Sequence, residues 1–429
     1  MNTMHCPALL ISAPASGQGK TTITAALAKL YTEQGKKVRV FKTGPDFLDP
    51  MILEQACGLP VYQLDLWMGG EAHCRHLLYK AASDADLILI EGVMGLFDGT
   101  TSSADLAELF GIPVLAVIDS TAMAQTFGAI AYGLAHYRKK LPFAGVIANR
   151  VASIGHSEML AESLNGIPYI GSLPRDKAYE LPSRHLGLVQ AEEISDLNAR
   201  ITVAKQHFTD ANFNFQPTPI KFEPVEIDAA ETTLKGMRIG VSRDLAFTFV
   251  YKANLELLNE MGAELCYFSP LEDTELPDVD SLYLTGGYPE LHLDALSSNT
   301  AMHEAIKLHQ LKGKPIVAEC GGMLYLLDSL TDKEGYSQKM VGLLNGKGKM
   351  QERLANLGMH SVELPEGKIQ GHTFHHSTMD IDMSAIATSK SSRKRGKGEA
   401  VYRQDRLHAS YLHMYFPSNP EASARLFMQ

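Results

Sequence analysis

The sequence predicts an α/β protein in two domains, each a mostly parallel sheet with helices packed over it. Three observations carry that prediction. Short apolar runs alternate with helical stretches from the start, at Ala8 to Ala13, Lys37 to Phe41, Leu87 to Glu91, Val114 to Asp119 and Gly145 to Asn149, the pattern of strands buried on both faces. The pattern breaks over Phe208 to Leu234, where three prolines and several acids interrupt any period, and such a stretch reads as a linker. It then restarts: Met237 to Ser242, Ser281 to Thr285, Pro315 to Glu319 and Leu407 to Leu412 read as strands and Phe247 to Met261 as a helix. The chain has 429 residues, too many for one core and enough for two of roughly 200 each. The expected boundaries are residues 1–205, a linker over 206–235, and 236–429.

Thirty-nine basic against 49 acidic side chains give a formal charge of -10. That balance argues against a nucleic-acid partner and leaves an anionic small molecule open. Five cysteines (Cys6, Cys57, Cys74, Cys266 and Cys320) are odd in number and lack paired metal-ligand spacing, so free thiols in a reducing compartment, the cytoplasm, are expected. No apolar run approaches the ~18 residues of a membrane helix and no basic leader precedes one, so neither spanning nor export is expected.

In the first domain, Gly17-Gln18-Gly19-Lys20-Thr21-Thr22 lies between an apolar strand and a helical stretch, the context of a phosphate-binding loop. Gly17 and Gly19 let backbone N–H groups approach phosphate oxygens, Lys20 supplies a cation, and Thr21 offers a hydroxyl to Mg²⁺. The usual first glycine of such a loop is replaced by Pro14. Acids gather at the ends of the same strands: Glu91 closes LILIE, Asp46 and Asp49 follow Lys42 in KTGPDFLDP, and Asp98 stands in GLFDG. Open α/β sheets bind ligands at that edge, so these groups are read as metal and substrate residues, although each alone also suits an N-cap or a turn.

In the second domain, PIVAE delivers Cys320 into Gly321-Gly322, as a nucleophile turn does. The Gly321 N–H would face an oxyanion, with a second donor from Gly286-Gly287 at the end of another strand. A neighbouring imidazole generates a thiolate near neutral pH, and His413 in HASYLHMYF is the candidate base. His372 and His375 in GHTFHHS have no cysteine or acid at ligand spacing and are read as lining a substrate groove rather than holding a metal.

These motifs, APASGQGKTT, FKTGPDFLDP, IEGVMGLFDG, VIANRV, LTGGYPE, AECGGMLYL, GHTFHHS and ASYLHMYF in that order, resemble the cobyrinate / hydrogenobyrinate a,c-diamide synthase family of cobalamin biosynthesis over nearly the whole chain. The resemblance implies a P-loop N-terminal domain similar to dethiobiotin synthetase and a C-terminal domain similar to class I glutamine amidotransferases. It implies ATP- and glutamine-dependent amidation of corrinoid carboxylates through an acyl phosphate. In this sequence it assigns Gly17, Gly19, Lys20, Thr21 and Thr22 to phosphate, Asn149 to the adenine edge, and Thr21, Asp46 and Glu91 to Mg²⁺. Lys42, Asp49 and Asp98 fall to the substrate, Cys320 and His413 to glutamine hydrolysis, and Gly287 and Gly321 to its oxyanion hole. Class I relatives often add an acid beside the histidine. Position 415 is Tyr415 and no nearby carboxylate stands out, so a Cys-His dyad is expected.

Lys42, Arg184 and the tract Arg393 to Lys397 are candidates to clamp carboxylates not being amidated. The ammonia formed at one site requires a shielded route to the other, and a homodimer is ordinary for a chain of this size. The PVYQLDLWM stretch and the overall length favour the metal-free ring over the cobalt-containing one. Two other readings compete: cobyric acid synthase-like amidation of other side chains, and an ATP-driven partitioning switch. The switch commonly carries an extra lysine early in its loop, where this chain has SAPAS, and it has no use for Cys320.

Overall fold

The computed structural model describes residues 2–182, 190–226, 231–393 and 396–428, which divide into two units, Met1–Ile227 and Asp228–Gln429. In the first unit the strands are β1 (Met4–Ser12), β2 (Val38–Thr43), β3 (Tyr62–Leu64), β4 (Leu87–Glu91), β5 (Val114–Asp119), β6 (Phe143–Val151), β7 (Tyr169–Pro174) and β8 (Pro219–Phe222). Among the described residues they form one sheet in the order β3-β2-β4-β1-β5-β6-β7, all parallel, with β8 antiparallel to the start of β1.

The strands read as continuous apolar runs because both faces are covered. Leu9 and Ile11 pack toward α1 (Lys20–Glu33), α2 (Leu48–Cys57) and α7 (Leu197–Asp210), joining Ile23, Leu27, Leu53 and Ile201. The alternate residues Ala8 and Leu10 pack toward α3 (Gly70–Ala82), α4 (Ser103–Phe110) and α5 (Thr126–His136), with Leu77, Leu106 and Ala131. α6 (Ile154–Glu162) follows β6. Each of β1, β2, β4, β5 and β6 therefore ends at the same edge, and the sheet is doubly wound as expected.

The segment expected as linker is ordered into this unit. Helix α7 runs to Asp210, past the expected boundary at 205, and β8 pairs with β1 from Pro7↔Pro219 to Met4↔Phe222. Of the prolines that broke the period, Pro219 is the first residue of this short strand, one of the places where a strand tolerates proline, and Pro217 lies just before it.

The second unit holds β9 (Arg238–Ser242), β10 (Glu264–Phe268), β11 (Ser281–Leu284) and β12 (Ile316–Glu319), then the shorter strands β13 (Leu327–Thr331), β14 (Ser337–Lys339), β15 (Leu344–Met350), β16 (Asn356–Leu364), β17 (Gly367–His375), β18 (Ser377–Ile381), β19 (Ala387–Thr388), β20 (Lys390–Ser391), β21 (Ala400–Gln404), β22 (Leu407–Ser410) and β23 (His413–Met414). The main sheet runs β10-β9-β11-β12-β22-β21-β19, parallel through β22 and antiparallel beyond it. Two smaller sheets, β14-β13-β15-β18 and β20-β16-β17-β23, complete it among the described residues.

Helix α8 starts at Lys252 rather than Phe247, because Phe249 forms a bridge to Gly286 and Phe247 is buried in the core. The helices α9 (Leu293–Ser298) and α10 (Thr300–Leu311) follow β11, α11 (Gly321–Tyr325) follows β12, and α12 (Pro420–Arg425) closes the chain. The run Leu407 to Leu412 is not one strand. The chain leaves the main sheet after Ser410, and His413 pairs instead with His372 on β17.

In the last turn of α10, His309 is buried with Nε2 3.2 Å from the Pro315 carbonyl. Burial pushes its imidazole down from 6.5 to about 4. Between those values the unfolded chain binds a proton that the folded chain rejects. Stability from this group is therefore intact above its unfolded pKa and lost as pH falls toward the folded one, by about 2 kcal/mol at a pH of ~5. Thermal melts of wild type and His309→Gln will therefore diverge in the variant's favour as the pH is lowered from about 7 to about 5.

Candidate active sites

Between β1 and α1 the chain turns with Gly17 and Gly19 at φ +77° and +90°. A Cβ on Gly19 would come within 2.1 Å of Asn149 Nδ2, so both backbone conformation and close approach require glycine there. Asn149, at the end of β6, donates through Nδ2 to the Gln18 carbonyl at 2.9 Å, and its buried Oδ1 has no hydrogen-bond partner. Lys20 and Thr21 open α1, whose N-terminal N–H groups suit an anion. The Lys20 ammonium folds back over the loop, 3.2 Å from the Ala15 carbonyl and 2.8 Å from that of Met94. Burial lowers its pKa, with Glu91 pulling the other way.

Lys42 and Glu91 are register partners on β2 and β4, so their side chains share a face. The Lys42 ammonium, 2% exposed, stands 2.5 Å from Asp49, 2.8 Å from Glu91 and 3.9 Å from Asp46. Asp46 accepts from the Leu48 and Asp49 N–H groups at the start of α2. Burial alone would lower Lys42, but Asp49, Glu91 and Asp46 hold it above its ordinary value. Burial raises Glu91 and Asp46, with the Asp49 charge adding to each. For Asp49 burial acts upward too, yet Lys42 brings it below the usual carboxylate range.

Thr21 Oγ1 donates to Glu91 Oε1 at 2.8 Å, while Glu91 Oε2 is buried without a partner. Among the described residues no group of three or more His, Cys, Asp and Glu stands at metal-ligand spacing. Mg²⁺ bound mainly through phosphate and water needs only one or two protein oxygens, and the orphaned Glu91 oxygen beside the Thr21 hydroxyl fits that mode. Asp98 accepts from the Gly95 N–H at 2.9 Å, closing the turn after β4.

The second constellation forms where β12 ends. Cys320 has φ 45° and ψ -104°, a conformation a side-chain-bearing residue rarely adopts outside strained functional turns. Its N–H donates to the Ser410 carbonyl at 2.7 Å, and α11 starts at once. The reversal depends on bare backbone. A Cβ on Gly321 would lie 2.9 Å from Gly287 N, and one on Gly322 would lie 2.3 Å from the Leu284 carbonyl. A Cβ on Gly286 would meet His413 Cε1 at 2.3 Å. The nucleophile turn and the His413 ring therefore meet at the Gly286-Gly287 pair.

Burial pushes the Cys320 thiol well up, and Glu290, Glu399 and Glu319 add to it, while the Gly321 N–H facing the sulfur acts the other way. His413, 2% exposed, is pushed down to about 3 by burial and then by His375. The resting pair is thus a neutral thiol beside a neutral imidazole. Glu319, 1% exposed, lies 3.9 Å from His413 Nδ1 through Oε2, which accepts from the Tyr283 hydroxyl at 3.0 Å; Oε1 accepts from the Met414 N–H at 3.0 Å. Burial pushes this carboxyl up to about 8, against those two donors.

Residues 9–189 match the family model described as the CobQ/CobB/MinD/ParA nucleotide binding domain, and residues 238–421 that of the CobB/CobQ-like glutamine amidotransferase domain. The chain is 59% identical to the hydrogenobyrinate a,c-diamide synthase of Pseudomonas aeruginosa, covering 99% of this chain and 98% of that one. It is also 59% identical to the enzyme of that name from Stutzerimonas stutzeri, covering 99% of each chain. Against the cobyrinate a,c-diamide synthase of Herminiimonas arsenicoxydans it is 48% identical, covering 98% and 96%. The chain belongs to the a,c-diamide synthase family.

Within this family member, sequence reasoning and structure part at three points. Glu319 was missed; its only signal was an acid ending an otherwise apolar buried strand, beside the nucleophile. The sequence offered no acid near Tyr415; in the fold a carboxyl from β12, that of Glu319, lies 3.9 Å from His413 Nδ1. His372 and His375 do not line an open groove. Both are buried, His372 opposite His413 and His375 hydrogen-bonded to Glu399 at 3.0 Å and stacked on Tyr411. Lys42 is enclosed by carboxylates rather than open to a ligand. Arg184 lies outside the described residues, as do Lys394 and Arg395 of the basic tract.

Replacing the Lys42 ammonium by an apolar chain leaves the Asp49 carboxylate without its partner and takes away the cation beside the buried Glu91. Lys42→Met is expected to lose about 3–5 kcal/mol of stability near neutral pH, the cost of breaking a buried pair. The deficit narrows as pH falls and the carboxylates protonate, which thermal melts at about pH 8 and about pH 5 will register.

Proposed function

We propose that this chain amidates the a and c side-chain carboxylates of a corrinoid, taking nitrogen from glutamine and activating each carboxylate with ATP, in the cytoplasm. The observation that carries this reading is full-length 59% identity to relatives named hydrogenobyrinate a,c-diamide synthase, joined to a phosphate loop in one unit and a strained Cys320 turn in the other. The names of those two relatives favour the metal-free ring. No helix among the described residues is long and apolar enough to cross a membrane.

In the first unit, backbone N–H groups around Gly17 and Gly19, with Lys20, orient the ATP phosphates, and the free Asn149 Oδ1 suits the adenine amino group. Thr21 and Glu91, with Asp46 nearby, would hold Mg²⁺, which supplies charge neutralisation to phosphoryl transfer. A corrin carboxylate oxygen attacks the γ-phosphorus, the bond to ADP breaks, and an acyl phosphate results. Ammonia then adds to the acyl carbon and inorganic phosphate leaves, yielding the amide. Lys42 neutralises Asp49 and the buried Glu91 at the floor of the site.

In the second unit, Cys320 sulfur attacks the side-chain amide carbon of glutamine as His413 takes the thiol proton. The Gly321 and Gly287 N–H groups are suited to the oxyanion. His413 returns the proton to the departing nitrogen, releasing ammonia. Water then cleaves the glutamyl thioester to glutamate and restores the thiol.

Cys320→Ala will abolish diamide formation with glutamine and leave formation with ammonium salts near the wild-type rate, measured as ADP and diamide produced from Mg-ATP and hydrogenobyrinate or cobyrinate. Consumption of neither corrinoid while ATP still turns over would refute the substrate assignment. Equal rates with glutamine in wild type and variant would refute the role of Cys320.

A further inference from the structure

We propose that Glu319 positions His413 for proton transfer, so that the acid of the amidase site is supplied by the nucleophile's own strand; this rests on the amidase reading of Cys320 given above. No acid follows His413 closely in the chain, and Tyr415, two residues on, is buried. Glu319 instead reaches the histidine from β12, one residue before the sulfur. Of the two ring nitrogens, Nδ1 is 3.9 Å from Glu319 Oε2. A carboxylate on that side favours the tautomer with the proton on Nδ1, which leaves Nε2 as the acceptor for the thiol proton. A movement of roughly 1 Å brings Nδ1 and Oε2 to hydrogen-bond distance.

A purely structural account leaves the acid unexplained. Glu319 does clamp the backbone after His413, accepting from the Met414 N–H at 3.0 Å. Asn254 clamps the same segment as a neutral amide, donating to the Met414 carbonyl and accepting from the Phe416 N–H, both at 2.8 Å. A glutamine at 319 could do likewise without burying an ionisable group. What an amide cannot do is accept the Nδ1 proton with a full negative charge while Tyr283 donates to the same oxygen.

The other titratable groups around His413 are His372 and His375 on β17, Tyr283 on β11 and Cys320 itself. None of these is an anion at rest. With Glu319 ionised, the imidazolium that forms as His413 takes the thiol proton at Nε2 faces that carboxylate through Nδ1, and the thiolate sulfur carries the negative charge released by the transfer.

The test compares wild type with Glu319→Gln, Glu319→Asp and Cys320→Ala as full-length purified chains. It measures kcat and KM for glutamine hydrolysis, the ammonia-dependent rate and the melting temperature. It also follows iodoacetamide alkylation of the Cys320-containing peptide across pH. For Glu319→Gln the expected result is a kcat for glutamine lower by about 100-fold with KM held. Its alkylation midpoint moves to higher pH, and melting and the ammonia-dependent rate stay near wild type. Glu319→Asp should recover part of the loss.

The proposal is overturned if Glu319→Gln keeps kcat within about 3-fold and an unshifted alkylation profile while Cys320→Ala is inactive with glutamine; the amidase reading then survives alone. It is equally overturned if Glu319→Gln loses melting temperature and ammonia-dependent rate in parallel, which marks a clamp and nothing more. Should Cys320→Ala hydrolyse glutamine as wild type does, the amidase reading falls and this proposal with it.

Discussion

A strand covered by helices on both faces has no place for a charged side chain except at its end, and that restriction organises both units. Along β1 from Ala8 to Ile11, and along β4 and β12 before their last residues, the positions are apolar and buried, and polar chemistry starts where the strands stop. The phosphate loop follows Ser12, Glu91 is the last residue of β4, and Glu319 and Cys320 close β12. Helix starts add oriented N–H groups at the same edges, at Lys20 and at Gly321. Location of the chemistry is thus a consequence of burial rather than of any single motif.

Each edge then has to reconcile charge with the low polarity that put it there. In the first unit a single ammonium among three carboxylates does so, and the balance is local: Lys42 is held charged, Asp49 is held ionised, and Asp46 and Glu91 are pushed toward their neutral forms. In the second unit the solution is neutrality. Thiol and imidazole are both uncharged at rest, and the carboxyl beside them is pushed up.

Much of this was legible in the chain. Strands Leu87–Glu91 and Val114–Asp119 were found to the residue, because parallel strands leave unbroken apolar runs. Apart from the GHTFHHS run, whose spacing suits a strand or turn, the segment from Leu327 to Ser391 was not read as β-structure. Its strands are short and partly solvated; β15, for instance, alternates buried Leu344, Gly346, Gly348 and Met350 with exposed Asn345, Lys347 and Lys349, and glycine and lysine carry little strand signal. Residues 206–222 looked like a linker because prolines at a sheet edge resemble prolines in a loop.

By itself the sequence determined which residue types sit at strand ends: a Gly-Lys-Thr loop, a thiol between an acid and two glycines, and the order that links both to one family. Local propensity and short-range spacing suffice for that, since each motif lies within about ten residues, the reach of a single strand-turn-helix unit. Only the tertiary structure decided the partners. Lys42 meets Glu91 through the register of β2 on β4, and His413 meets Glu319 because the chain leaves the main sheet after Ser410 and pairs with β17. Contacts between residues 49 and 94 positions apart are set by strand pairing and packing, which no local pattern encodes.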